Sequence, residues 1–137
     1  MVLTFSINGG DFVNAGRASS KVKTVLKQLN IDSEKIKKAV ISLYEAEVNV
    51  AAHASSGIIS VDIDSSSVKI TVDDKGPGIA DIKLAMSDGY STASEEVREM
   101  GFGAGMGLPN IKRNSDMLKI ESSPGKGTTV IMEIKLD

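Results

Sequence analysis

The 137-residue sequence contains no cysteine and only one histidine. Without cysteine the chain has no disulfide bonds and no thiol chemistry, and with a single histidine it lacks the ligands of a structural zinc site. The absence of cysteine also fits a reducing compartment. We therefore expect a cytoplasmic protein without a structural zinc ion.

Long apolar runs and a large excess of one charge are also absent. No segment approaches the roughly 20 apolar residues that cross a membrane, and the first residues lack the basic and apolar segments of a signal peptide. The net charge is −2, which does not supply the basic surface of a nucleic-acid-binding protein. We expect a protein that binds neither a membrane nor nucleic acid directly.

Two common phosphate-binding motifs are missing as well. Glycines alternate through residues 101–107 (GFGAGMG), but neither this run nor 74–78 (DKGPG) has the spacing of the dinucleotide motif GxGxxG. Residues 125–128 (GKGT) lack the glycine that a Walker loop places five positions before its Gly-Lys pair. If the glycine run binds phosphate, it does so in a different way.

The pattern of apolar residues predicts one domain over residues 1–137. Apolar residues make up 41% of the chain and charged residues 25%, which is ordinary for a globular protein. Apolar periodicity predicts strands at 2–7, 59–63, 68–72, 118–120 and 130–136, and helices at 12–29 (N-cap Asp11), 33 to about 54 (N-cap Asp32 or Ser33), 82–86 and 108–116. This order predicts an α+β, two-layer sandwich with helices on one face of a mostly antiparallel, mixed sheet.

Residues 88–103 are polar, contain glycine and show little periodicity. A connection of this length is unusual in a compact domain, which favours a functional lid over a passive loop. The alternating glycines at its end directly precede a predicted helix, where backbone N–H groups can approach an anion closely. The alternative interpretation of these glycines is a flexible linker.

Glu45 and Asn49 lie four residues apart on the second predicted helix, so they share one face. That face is opposite the apolar stripe of Ile36, Leu43 and Val50. An asparagine can offer a neutral oxygen to Mg²⁺, and a glutamate can accept a proton from a hydroxyl or water. The pair suits a site for a metal ion and phosphate, although a solvated helix face has the same spacing.

Asp74 stands where a predicted strand ends and the chain turns. A fixed carboxylate there can accept hydrogen bonds from an exocyclic amine, and the following Gly76 and Gly78 leave room for a flat ring. An ordinary Asp-x-Gly turn would have the same sequence. Thr128, at the start of the last strand, has a hydroxyl that can help to hold a ligand, but threonine is also a normal strand residue.

In order and spacing, these motifs resemble the four sequence boxes of the Bergerat-fold ATPases: 45–49 (EAEVN), 74–78 (DKGPG), 101–107 (GFGAGMG) and 127–128 (GT). Within that superfamily the sequence is most similar to the small anti-sigma regulatory serine/threonine kinases. Segments 49–54 (NVAAHA) and 105–113 (GMGLPNIKR) carry this similarity. Val50 and Lys75 depart from the common family residues, which are alanine and asparagine.

The resemblance implies a Bergerat ATP-binding fold and a role for each motif. Glu45 would be the general base toward a substrate hydroxyl, and Asn49 would coordinate a Mg²⁺ ion that bridges the phosphates of ATP. Asp74 would bind the adenine amino group, and residues 88–107 would form an ATP lid. The implied ATP-binding set is Asn49, Asp74, Gly76, Gly78, Gly101, Gly103, Gly105, Met106, Gly107, Leu108 and Thr128.

The resemblance also implies a function. The chain would be an ATP- and Mg²⁺-dependent protein serine/threonine kinase that phosphorylates a small anti-sigma-factor-antagonist-type protein and acts by partner switching. A sigma factor or a phosphatase is a further expected partner, and a homodimer is an expected state. Two alternatives stay open: a nucleotide-dependent regulatory binding module without significant kinase activity, and the detached catalytic domain of a histidine kinase.

Overall fold

The computed structural model describes residues 1–79, 82, 86 and 107–137. In this part of the chain the elements are, in order, β1 (Val2–Asn8), α1 (Arg17–Gln28), α2 (Ser33–His53), β2 (Ser56–Ile63), β3 (Ser67–Asp74), α3 (Gly107–Asn114), β4 (Met117–Ser123) and β5 (Gly127–Lys135). Between β3 and α3, the Met86 amide donates to the Ile82 carbonyl oxygen at 3.0 Å. That bond has the spacing of a helical turn, as expected at 82–86.

The five described strands form one sheet in the order β1-β2-β3-β5-β4. Each neighbouring pair is antiparallel. The pairing of β3 with β5 joins segments that are far apart in the sequence, and it places Asp74 directly opposite Thr128. The predicted α+β fold is confirmed, and all pairings among the described strands are antiparallel.

The described helices form a layer in which α2 is central. It packs across β1, β2, β3 and β5, while α1 and α3 each pack against α2. The buried face of α2 carries the predicted stripe of Ile36, Leu43 and Val50, which joins the alternating inward side chains of the strands in one core. In the part of the chain that the structure describes, no helix is long and apolar enough to cross a membrane.

The first helix starts later than predicted. α1 begins at Arg17 instead of residue 12, and Asp11 is not its N-cap. Asp11 instead accepts a hydrogen bond from Nδ2 of Asn14 at 2.8 Å, within the loop that precedes the helix. The residue at the N-cap position is Gly16, with φ 103° and no capping side chain of its own.

The cap of α1 comes from another helix. Glu47 of α2 is 2% exposed, and its carboxylate accepts the backbone N–H groups of Gly16 at 2.7 Å, Ala18 at 3.2 Å and Ser19 at 2.8 Å. These groups have no partner within the helix, and a negative charge there is favourable. The start of α1 is therefore fixed by a residue about 30 positions further along the chain, which local periodicity does not reveal.

The second helix ends close to its predicted limit. The Asp32 side chain caps its start by accepting the Glu34 amide at 3.2 Å. β2 already begins at Ser56, before the alternating apolar residues from which it was predicted. Gly57 permits this early start, since a Cβ there would lie 2.9 Å from Cγ1 of Val50. The absent side chain lets the strand pass close to the end of α2.

Candidate functional site

The predicted site residues that the structure describes form two groups, one where α3 packs on α2 and one at the end of the β3–β5 pair. A Cβ added to Gly76 would lie 3.1 Å from Oδ1 of Asp74 and 3.2 Å from Cβ of Ala54, which follows α2. A Cβ added to Gly107 would lie 2.8 Å from Oδ1 of Asn49. The loop after β3 therefore contacts the residue that follows α2, and the start of α3 contacts the C-terminal half of α2.

Glu45 and Asn49 occupy the face of α2 that α3 covers. Both side chains are half-buried, so this is not a fully solvated helix face. Gly107 lies directly against the Asn49 carboxamide, and any larger residue would have to displace it. The carboxamide is thus located at the start of α3, against the last residue of the glycine-rich run.

The Glu45 carboxylate lies in a partly desolvated position. Burial raises its pKa above the ordinary value, and a hydrogen bond from the Asn110 side chain opposes this rise. Nδ2 of Asn110 donates to Oε1 of Glu45 at 3.4 Å. A carboxylate whose pKa is raised is a stronger proton acceptor, which suits a general base.

Asp74 ends β3 and is half-buried. Burial raises the pKa of its carboxyl, the backbone N–H groups of Thr128 and Gly76 lower it, and the negative charge of Asp73 raises it. The Thr128 amide donates to Oδ1 of Asp74 at 3.1 Å, which fixes the carboxylate across the β3–β5 pair. The result is a hydrogen-bond acceptor with a defined direction.

The loop after Asp74 is held against the turn between β4 and β5. Gly78 has φ 78°, and a Cβ on it would overlap the carbonyl oxygen of Ser123, so only glycine fits. The Gly125 amide donates to the Pro77 carbonyl oxygen at 2.7 Å. Gly76 therefore lies beside the Asp74 carboxylate without a side chain, and Gly78 lets the same loop pack directly on the β4–β5 turn.

Ser122 organises the same corner. Its hydroxyl accepts the Ile79 amide at 2.7 Å and donates to the Gly127 carbonyl oxygen at 3.1 Å. It also lies 2.8 Å from the hydroxyl of Thr128. Either hydroxyl could donate in this contact, and the Thr128 oxygen has a second lone pair that can accept from a ligand. Asp74 and Thr128 thus offer two acceptors to one donor group.

Part of the predicted site lies outside the described residues. Gly101, Gly103, Gly105 and Met106 belong to this part, as does the proposed lid except for its last residue. Gly107 is the first residue of α3. Leu108 follows it and packs against the hydrophobic core.

Sequence reasoning missed two residues with a clear place in or near the site, Asn110 and Ser122, and one buried carboxylate away from it, Glu47. Asn110 lies within the quoted segment 105–113, one turn after Gly107, and this position on α3 was its only signal. Ser122 could have been found as the hydroxyl opposite Thr128 in a short hairpin. Glu47 continues the stripe of Leu43 and Val50 at helical spacing, and a glutamate at such a position indicates a buried carboxylate with partners.

A separate cleft of about 370 Å³ lies between β1 and the start of α1. It is lined by apolar side chains such as Phe5 and Ile7 and by polar ones such as Asn8, Asn14 and Arg17. None of the predicted site residues lines it. In the described part of the chain, no cluster of three or more histidine, cysteine, aspartate or glutamate side chains could hold a metal ion.

Comparison with known proteins gives a consistent set of relatives. The model of the histidine kinase-, DNA gyrase B- and HSP90-like ATPase family matches residues 31–137. The serine/threonine-protein kinase RsbT of Bacillus subtilis (strain 168) is 31% identical over 112 residues, which are 79% of this chain and 78% of that protein. The anti-sigma F factor of Thermoanaerobacter sp. (strain X514) is 35% identical over 131 residues, which are 89% of this chain and 88% of that protein.

A solved structure matches nearly the whole chain. It is the crystal structure of the RsbU and RsbW domains of Rv1364c from Mycobacterium tuberculosis, with a TM-score of 0.59 and 15% sequence identity. The match covers 98% of this chain and 32% of that longer chain. At this level of identity the match shows the fold alone.

Proposed function

Since the chain belongs to the histidine kinase-, DNA gyrase B- and HSP90-like ATPase family, we propose that it is a protein serine/threonine kinase of the anti-sigma regulatory type. It would transfer a phosphoryl group from ATP to a small anti-sigma-factor-antagonist-type protein and act by partner switching. One observation carries this proposal. Glu45 and Asn49 lie on one face of α2 against the start of α3, and Asp74 and Thr128 are paired where the loop after β3 contacts the residue that follows α2.

The corner around Asp74 suits adenine. The amino group of adenine donates hydrogen bonds, and Asp74 and Thr128 provide acceptors on neighbouring strands. Gly78 would lie beneath the ring, and its close contact with the Ser123 backbone holds this loop against the β4–β5 turn. Gly76 would leave room at the edge of the ring. These features support nucleotide binding with a preference for adenine.

The other end of the site suits the phosphates and Mg²⁺. Asn49 would supply a neutral oxygen to the metal ion, which usually keeps few protein ligands and is held largely by substrate phosphates. Gly107 would present its backbone N–H at the start of α3. Gly101, Gly103, Gly105, Met106 and Leu108 complete the proposed set of nucleotide contacts, with residues 88–107 as the lid.

Glu45 would act on the substrate hydroxyl. It would accept the proton as the serine or threonine oxygen bonds to the γ-phosphorus and the bond to the leaving ADP breaks. Phosphoryl transfer depends mainly on positioning and charge neutralisation, so one base and one metal-coordinating residue are sufficient machinery. The raised pKa of Glu45 supports the role of base.

The phosphotransfer can be tested by intact mass. The protein is mixed with Mg-ATP and purified antagonist-type proteins, and each partner is examined for the gain of one phosphate. We expect Glu45→Gln to abolish the gain while nucleotide binding persists. Glu34→Gln, at the exposed start of the same helix, is the matched control and should keep full activity. ATP binding without phosphate on any partner would contradict the kinase assignment.

A second role is favoured by the relatives named anti-sigma F factor. We propose that the chain also binds a sigma factor or a phosphatase, in the cytoplasm and as a homodimer, and that nucleotide controls this association. Size-exclusion chromatography of the protein with each candidate, in Mg-ATP and in Mg-ADP, measures both the association and the oligomeric state. Complexes that form equally in Mg-ATP and in Mg-ADP would contradict the proposal that nucleotide controls the association.

A further inference from the structure

Asn110 connects the proposed base to a second helix. It lies in the first turns of α3, and its Nδ2 donates to Oε1 of Glu45 at 3.4 Å across 65 positions of sequence. The bond is long, and it joins α3 to the face of α2 that also carries Asn49. α3 starts at Gly107, against the Asn49 carboxamide, so the same short helix contacts both functional residues of α2.

The orientation of the Asn110 carboxamide is set by its two neighbours. Nη1 of Arg113 donates to Oδ1 of Asn110 at 3.1 Å. A guanidinium group can only donate and an ionised carboxylate can only accept, so a carboxamide between them pairs with both in one orientation alone. Oδ1 then faces Arg113 and the NH₂ group faces Glu45. The backbone at this position is also held, because Nδ2 of Asn114 donates to the Asn110 carbonyl oxygen at 2.8 Å.

We propose that Asn110 is a positioning residue for phosphoryl transfer, which holds the Glu45 carboxylate through Oε1 so that it meets the substrate hydroxyl in a fixed direction. This inference rests on the proposed function, because it takes Glu45 as the base. A long, partly exposed glutamate side chain has many rotamers, and productive transfer requires one of them. The hydrogen bond from Asn110 restricts the rotamers of Glu45. The contact of Gly107 with Asn49 places α3 against the proposed metal ligand as well.

The hydrogen bond can be measured without nucleotide or partner. In ¹⁵N-labelled protein, the side-chain NH₂ signals of Asn110 are identified by their loss in Asn110→Asp. We expect these proton signals to move upfield in Glu45→Ala, because the bond to the carboxylate is lost. Glu34→Ala, on the same helix, should leave them in place. Signals that do not move in Glu45→Ala would overturn the inference whether or not the protein is a kinase.

The consequence for the reaction is measured in single-turnover transfer to the partner protein. Asn110→Leu removes the donor at similar size, and we expect the transfer rate to fall about tenfold, as for loss of a hydrogen bond to a charged group. The dissociation constant of Mg-ATP should change less than about twofold, since adenine and phosphates do not contact Asn110 in the proposed site. Asn110→Gln keeps the donor and should recover part of the rate.

Glu34→Gln, at the exposed start of α2, is the control because Glu34 contacts neither Asn110 nor the proposed site; it should transfer phosphate at the wild-type rate. A wild-type rate in Asn110→Leu would overturn the inference, and so would a rate loss matched by weaker nucleotide binding or by an equal loss in Glu34→Gln. A wild-type protein that transfers no phosphate would instead overturn the proposed function. The hydrogen bond between Asn110 and Glu45 would then have no role in phosphoryl transfer.

Discussion

At the scale of single residues, the nucleotide corner depends on a glycine that no other residue can replace. Gly78 and Gly125 share a φ of 78°, but a Cβ on Gly78 would overlap the Ser123 carbonyl, whereas nothing lies within 4 Å of the same position on Gly125. We expect Gly125→Ala to lower the free energy of unfolding by about 1–2 kcal/mol, the cost of the left-handed conformation. Gly78→Ala should cost roughly 2 kcal/mol more and should also weaken ATP binding.

Urea unfolding followed by circular dichroism measures both stabilities, and calorimetric titration measures ATP binding. Because the two glycines have the same φ, the difference between the variants reports mainly the steric contact with Ser123. Equal losses of unfolding free energy in the two variants would show that the loop after Asp74 can move to accommodate the added methyl group at no cost in stability.

Glu45 should make stability depend on pH. Burial raises its pKa in the folded protein above the reference value of 4.5, and Asn110 offsets this only in part. As the pH rises, the folded protein therefore keeps the proton on Glu45 at pH values where the unfolded chain has already released it. The resulting stability is fully present below about pH 4.5 and is lost as the pH rises through the folded pKa. Glu45→Gln should flatten the pH curve in this window.

The measurement is the urea midpoint between about pH 4 and 8 for wild type, Glu45→Gln and the exposed control Glu34→Gln. Asp74, whose pKa burial raises, and His53, whose pKa burial lowers, should supply the dependence that remains in Glu45→Gln. A Glu45→Gln curve parallel to that of wild type would show that the carboxyl is solvated in the folded protein.

At the scale of elements, Glu47 ties α1 to α2. Its buried carboxylate accepts three N–H groups at the start of α1, and its loss would leave them without an acceptor in a closed environment. We expect Glu47→Ala to lower the free energy of unfolding by about 2–4 kcal/mol. Glu47→Gln keeps one acceptor oxygen and should lose less. Amide hydrogen exchange at residues 16–19 should accelerate in Glu47→Ala.

The control is Glu34→Ala, which removes an exposed glutamate from the same helix. A loss below about 0.5 kcal/mol in Glu47→Ala would contradict the capping role. The same contact explains why the sequence predicted the second helix well and the first one poorly. Local features bound α2, namely Asp32 at its start and a change of period at its end. The start of α1 depends on a side chain from α2. A prediction from the apolar periodicity of the α1 segment alone therefore starts the helix too early.

At the scale of the whole molecule, the sequence predicted which residues could form a site but not how they meet. Alternation and turn residues were sufficient for the strands and for both hairpins. The β3–β5 pairing that sets Asp74 opposite Thr128 joins segments more than 50 positions apart, and no local pattern encodes that register. Asn110 and Ser122 were missed for the same reason, because each is recognised only by its contact with a residue from another element.

This long-range assembly leads to a prediction about ligand binding and global stability. The proposed nucleotide contacts come from α2, β3, β5 and α3, so nucleotide should bind only when the whole domain is folded. Mg-ATP at one hundred times its dissociation constant should then stabilise the fold by about 2.7 kcal/mol, which raises the midpoint of thermal unfolding by roughly 10 °C. GTP should give a much smaller shift, because it presents a carbonyl oxygen where adenine presents an amine to Asp74.

Two variants distinguish the proposed Mg²⁺ ligand from the proposed adenine acceptor in this thermal-shift experiment. In Asn49→Ala, the thermal shift caused by ATP should be the same with Mg²⁺ as with EDTA, because the side chain that would bind the metal ion is missing. The shift that ATP alone causes in EDTA should remain as in wild type. Asp74→Ala should lose the response to ATP with or without Mg²⁺, because adenine would lose its acceptor. Equal shifts for ATP and GTP would remove the assignment of Asp74 to adenine. No shift at millimolar Mg-ATP or Mg-ADP would contradict nucleotide binding at this site, and with it the kinase proposal.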